Sequence, residues 1–132
     1  MRAKLAPGER PVIWMASSKR DLLKMPHPVV REIGMAIGAA QRGSKGSSAK
    51  WWKGEGPGVL EIVSDFDSDT FRALYTVIFK EAIYVLHCFQ KKSPRGRKTA
   101  KTDVDLIRDR LNAAREDHKE RYGKEAKQKN GS

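Results

Sequence analysis

A chain of 132 residues, 39% hydrophobic and 33% charged, has material for one domain and one core, and no apolar run in it approaches the roughly 18 residues of a membrane span. Its formal charge of +11 divides as +4 over residues 1–90 and +7 over residues 91–132, so the excess is local and points to a polyanionic partner, nucleic acid ahead of an acidic membrane or protein. The single cysteine, Cys88, excludes an intramolecular disulfide and fits a reducing compartment; Met1 to Pro11 lacks the apolar centre of a signal peptide, so a cytoplasmic protein is expected.

Val12-Ile13-Trp14-Met15, bounded by Pro11 and Ser17, predicts a first strand. Ser18 with Asp21 has capping-box spacing for a short helix carrying Leu22, Leu23 and Met25, which Pro26 stops. Pro28 suits the first turn of a second helix, in which Val29, Val30, Ile33, Ala36, Ile37 and Ala40 recur at helical spacing until Gly43. Beyond a Gly/Ser/Lys loop the pattern alternates: strands are predicted over Val59 to Ser64, Phe71 to Phe79 and Ala82 to Phe89. A two-residue Lys80-Glu81 turn sets Arg72 opposite Phe89 and Leu74 opposite His87, so that Arg72, His87 and Phe89 share one face, continued by Lys91. Thr102 with Asp105 repeats the capping-box spacing, and Val104, Ile107, Leu111 and Ala114 mark one side of a final helix. The order β-α-α-β-β-β-α predicts an α+β fold, two N-terminal helices packed on a small, mainly antiparallel sheet. Residues 1–10 are expected as an arm, 11–118 as the domain and 119–132 as a charged helix end or tail.

The chemistry concentrates where the third of these strands ends. Lys91, Lys92, Arg95, Arg97, Lys98 and Lys101 fall within eleven residues that contain no acid, a density that suits RNA phosphates. Cleaving RNA without a metal requires removal of the 2′-hydroxyl proton, neutralisation of the phosphorane and protonation of the departing 5′-oxygen. Arg72, His87, Lys91 and Lys92 supply groups of the right kinds; a packed strand histidine beside a solvated basic edge explains the same residues. Phe89 suits stacking on an unpaired base or a place in the core. Of Trp51 and Trp52, facing opposite ways between Lys50 and Lys53, at most one is a stacking platform, and core packing or loop anchoring is the better fit. Glu61, an acid among apolar neighbours, orients a cation, acts as a base or faces solvent. Asp65, Asp67 and Asp69 lack the glycine and glutamate of a calcium loop and read as hairpin-shaping residues. No Cys/His spacing suits zinc and no glycine motif cradles phosphate, so neither metal nor cofactor is expected.

Three segments, Val59-Leu60-Glu61-Ile62, Phe71-Arg72-Ala73-Leu74-Tyr75 and Tyr84 to Lys92 with its His-x-Phe-x-Lys-Lys, together resemble the RelE/ParE toxin superfamily, closest to its phage-derived, HigB-like branch. The likeness spans about residues 11–118. It implies a RelE-like toxin of a type II toxin–antitoxin system, a metal-independent endoribonuclease that enters the ribosome, cuts mRNA and is masked by a cognate antitoxin, expected as a helix-turn-helix protein. Carried onto this chain, it makes Arg72 and the Lys91-Lys92 pair stabilisers of the phosphate and His87 the counterpart of histidines found in some relatives. Phe89, Arg95, Arg97, Lys98 and Lys101 would grip RNA. A tyrosine that several relatives place soon after the basic pair is absent between Lys91 and Lys101. A DNA gyrase poison, as in the ParE branch, and a non-catalytic nucleic-acid-binding phage protein are the alternatives.

Overall fold

The computed structural model describes residues 5–44, 46, 48–54, 58–91 and 100–131, with side chains described through residue 123. Among the described residues five strands form one mixed sheet in the order β1-β5-β4-β3-β2: β1 (Val12–Trp14), β2 (Ala49–Trp51), β3 (Val59–Phe66), β4 (Asp69–Thr76) and β5 (Ile83–Gln90). Three helices join them: α1 (Ser18–Leu23), α2 (His27–Gln41) and α3 (Lys101–Gly131). The α+β class holds, but the element order differs from the expected one. Ala49–Trp51 is an additional strand, too short to show alternation in the sequence, and it is identified by its pairing with Leu60–Ile62 of β3. The sheet is antiparallel except at β1, which runs parallel to β5.

Each face of the sheet has its own core. Ile62, Phe71, Ala73, Tyr75, Ile83, Val85 and Cys88 point towards α1 and α2, against Leu22, Val29, Ile33 and Ile37. Val59, Leu74, Tyr84 and Leu86 point the other way, against Ile107, Leu111 and Ala114 of α3. Strand alternation thus sorts residues between two helical layers. Arg10 ties the first layer to the loop before β5, donating to Val77 O (3.3 Å), Phe79 O (3.0 Å) and Ala40 O (3.2 Å). The last of these carbonyls belongs to the final turn of α2 and also accepts the Gly43 N–H (3.0 Å).

Neither predicted capping box forms. Ser17, not Ser18, flanks α1, and its hydroxyl bonds the Asp21 carboxylate (2.7 Å), while buried Ser18 donates to Val85 O (3.2 Å). α3 begins at Lys101, ahead of Thr102, and Asp105 pairs on the surface with Lys101 and Arg108. Helix continues past residue 118 to Gly131. The two-residue turn at Lys80-Glu81 is also replaced, because β4 stops at Thr76 and β5 starts at Ile83. Phe79 in this connection stacks on His118 (centroids 4.4 Å) and meets Tyr84 edge-on, while Glu81 bonds His118 (2.6 Å), so the loop docks α3 instead of turning tightly.

Asp67 and Ser68 both have positive φ, 52° and 72°, and form the two-residue turn between β3 and β4, with Asp65 accepting from Thr70 (2.8 Å). The acidic residues shape this hairpin, as their spacing predicts. Tyr75 has a different problem: its buried hydroxyl has no hydrogen-bond partner among the described residues, and burial pushes its pKa up to about 12. Tyr75→Phe removes that desolvated group, so we expect a gain of about 1 kcal/mol in thermal or urea unfolding; a loss would reveal a partner for the hydroxyl.

Candidate active site

The α3-facing side of the sheet carries the predicted cluster, and a β-bulge puts it there. Arg72 pairs with Phe89 and Leu74 with His87, as the sequence predicts, but Tyr75 pairs with Val85, so Leu86 is an extra residue. Leu86 and His87 consequently both face α3. Without the bulge, the alternation set by Tyr84 and Leu86 would turn His87 towards α1.

Arg72 is 12% exposed and is held by an ion pair with Glu61, itself 5% exposed, one strand over on β3. Lys50 of β2 lies directly opposite Glu61 in register, with its Nζ 3.8 Å from the carboxylate and most of its side chain in water. The solvent-facing reading of Glu61 is therefore overturned, because it is a buried acid bridging two cations. Arg72 Nε is buried and has no hydrogen-bond partner among the described residues. The guanidinium thus retains donor capacity beyond its pairing with Glu61.

His87 is 7% exposed, and both ring nitrogens are engaged: Nε2 lies 2.8 Å from Asp103 Oδ1, and Nδ1 lies 3.4 Å from Arg110 Nη1. Arg110 only donates, so Nδ1 accepts and Nε2 carries the proton, donating it to Asp103. Arg110 also donates to Leu86 O (2.9 Å) and reaches Ser17 Oγ (3.4 Å), joining α3, β5 and the start of α1. Phe89 stacks on the imidazole with centroids 4.6 Å apart and planes at 14°. Asp103 and Arg110 are not among the residues that the sequence predicts for the site. Their signal was present, since they lie at helical spacing with Ile107, Leu111 and Ala114 and interrupt the apolar side of α3 with charge.

Burial holds the His87 pKa below its ordinary 6.5, against the opposing pull of Asp103. The unfolded chain therefore takes up this proton first, and the stability His87 contributes is present above about pH 6.5 and lost as pH falls through the lower folded value. His87→Gln keeps a donor for Asp103 but does not titrate. The stability difference between wild type and this variant should therefore shrink in urea melts between about pH 7.5 and about pH 5; a constant difference would show that His87 does not titrate with unfolding.

Among the remaining predicted residues, Lys91 follows β5 directly, its N–H donating to Thr70 O (2.8 Å), and Lys101 opens α3 with an exposed side chain paired to Asp105 (3.1 Å). Lys92, Arg95, Arg97 and Lys98 lie outside the described residues. Trp52 packs into the α3-side core, its ring filling the space a Cβ on Gly54 would need, whereas Trp51 is 57% exposed. Cys88 is buried on the opposite face, where desolvation pushes its pKa up to about 12. Among the described residues no group of three or more His, Cys, Asp or Glu is placed to hold a metal ion, and no helix is long and apolar enough to cross a membrane.

The family model described as "Phage derived protein Gp49-like (DUF891)" matches residues 20–112, a span that includes Lys50, Glu61, Arg72, His87, Phe89, Asp103 and Arg110. No curated protein and no solved structure matches the chain.

Proposed function

The chain belongs to the phage-derived Gp49-like family, and on that premise we propose that it is the toxin of a toxin–antitoxin pair, an endoribonuclease that cuts mRNA in the translating ribosome. The observation that carries this reading is Arg72, a buried guanidinium whose Nε has no acceptor among the described residues, held at the sheet face by Glu61 and next to Phe89 across the strands. Burying such a group is costly unless an anion completes its hydrogen bonds. The cation-rich segment that begins at Lys91 and the resemblance of His-x-Phe-x-Lys-Lys to RelE-type toxins favour a phosphodiester as that anion.

In this mechanism the scissile phosphate docks on Arg72 and draws the guanidinium partly away from Glu61. Glu61, relieved of its partner, takes the 2′-hydroxyl proton; the 2′-oxygen attacks phosphorus, and Arg72 with the Lys91-Lys92 pair neutralises the phosphorane. The P–O5′ bond breaks, and Lys91 protonates the departing oxygen. A 2′,3′-cyclic phosphate and a 5′-hydroxyl remain, with no metal or cofactor consumed. His87, with both nitrogens engaged, is given no proton to move. A cognate antitoxin would mask this face.

Mapping RNA 5′ ends after brief induction tests the reading. New 5′-hydroxyl ends should appear within translated reading frames and disappear when initiation is blocked. Growth arrest with intact mRNA and lost gyrase supercoiling would replace this reading with a gyrase poison; salt-sensitive RNA binding without new ends would leave a binding module.

A further inference from the structure

We propose that the cleft between the end of α1 and the outer edge of β5, lined from both faces of the sheet edge, is a subsite for one unpaired nucleobase, with the His87–Phe89 stack on its α3-facing side as its fixed wall. The inference rests on RNA being the substrate and adds where a base goes and what holds its platform.

The cleft exists because β1 is short. It pairs only with Ile83–Val85, and after Trp14 the chain bends at Ala16, where φ is 48°, into α1. From Leu86 to Gln90 β5 therefore has no neighbouring strand on that side among the described residues. The space left is about 510 Å³, lined on its softer side by Met25, Phe71, Cys88 and Phe89. Thioether, thiol and aromatic surfaces suit a planar π system, and stacking on aromatic side chains is how single-stranded bases are commonly held.

The wall is locked. His87 is gripped from α3 by Asp103 and Arg110. Phe89 stacks on a ring that is thereby kept from rotating. Asp103 and Arg110 are positioning residues, acting on RNA through His87 and Phe89. At the cleft's polar edge stand Asp21, Asp69 and Gln90, whose carboxylate and amide oxygens accept from exocyclic amino groups, with Lys24 beside them. Adenine, cytosine and guanine offer such donors and uracil does not. Continuity fixes the occupant: Phe89 lies directly across from Arg72, with Cβ atoms about 5 Å apart in such pairs, so a phosphate on Arg72 leaves an adjacent base within reach of Phe89.

The test uses 2′-O-methyl RNA hexamers, which lack the attacking hydroxyl, with an abasic residue moved through each position and affinities read by fluorescence anisotropy. Wild type should lose roughly ten-fold in affinity at one position only, and uracil there should bind more weakly than the three amino-bearing bases. Phe89→Leu should flatten this positional step. Asp103→Ala should reduce it, while Asp103→Asn, whose carbonyl still accepts from His87, should largely restore it. Thermal melts of each variant confirm that it is folded. Equal affinity at every abasic position in wild type, or an undiminished step in Phe89→Leu, overturns the subsite while leaving RNA binding intact. No binding of any hexamer by folded wild type also overturns the subsite, while the 5′-end mapping in translating cells decides the ribosome-dependent RNA reading separately.

Discussion

Arg72→Ala abolishes growth arrest on induction and lowers mRNA cleavage by about 10²–10³-fold, the expected result if its guanidinium stabilises the phosphorane. The same change harms the fold. Glu61 remains buried at 5% exposure, and among the described residues only Lys50, 3.8 Å away and mostly in water, is left to balance its charge. Removing one member of a buried pair is costly, while replacing both by apolar groups of similar volume is often neutral. Arg72→Met combined with Glu61→Met separates the two effects, because stability should return towards wild type while cleavage stays absent. Glu61→Gln isolates the base. It leaves Arg72 an acceptor and makes the site more cationic, so RNA should bind at least as tightly while the chemical step slows. If Arg72→Ala cuts mapped mRNAs as well as wild type, this is not the catalytic centre.

Much of this geometry was legible in the sequence, for identifiable reasons. The pairing of Arg72 with Phe89 and of Leu74 with His87 follows from apolar alternation on two strands, because a one-residue slip would expose the buried set. The predicted turn was wrong and the distal register still right, because two departures cancel. The longer connection from Val77 to Ala82 shifts the count by one, and the Leu86 bulge shifts it back. Neither has a local signature: Phe79 leaves the strand to pack on Tyr84 and His118, and His118 lies 39 positions further along the chain. The partners of the site residues were harder to read for the same reason. Glu61 stood out as an acid in an apolar run, but pairing in space decided what it binds, and Asp103 and Arg110 read as surface charge until α3 was laid across β5.

Arg110→Ala is expected to be the more damaging of two superficially similar changes on α3. Its guanidinium donates to Leu86 O (2.9 Å), the carbonyl of the bulge residue, faces His87 Nδ1 (3.4 Å) and reaches Ser17 Oγ (3.4 Å). Truncation leaves partly buried acceptors on two elements without their donor and removes the restraint on the His87 ring, so a loss of about 2–4 kcal/mol follows. Arg108, two residues earlier, is exposed and pairs with Asp105 (2.6 Å) within the same helix, an interaction of at most about 0.5 kcal/mol. Urea unfolding of Arg108→Ala and Arg110→Ala should therefore separate the two clearly. Arg110→Lys should recover little, because one ammonium on a flexible stem does not span the three acceptors that the planar fork reaches. Equal, small losses for both alanine variants would mean that the α3–β5–α1 network does not hold the site together, and apolar packing of Ile107 and Leu111 with the Phe79–His118 contact would then carry the docking of α3.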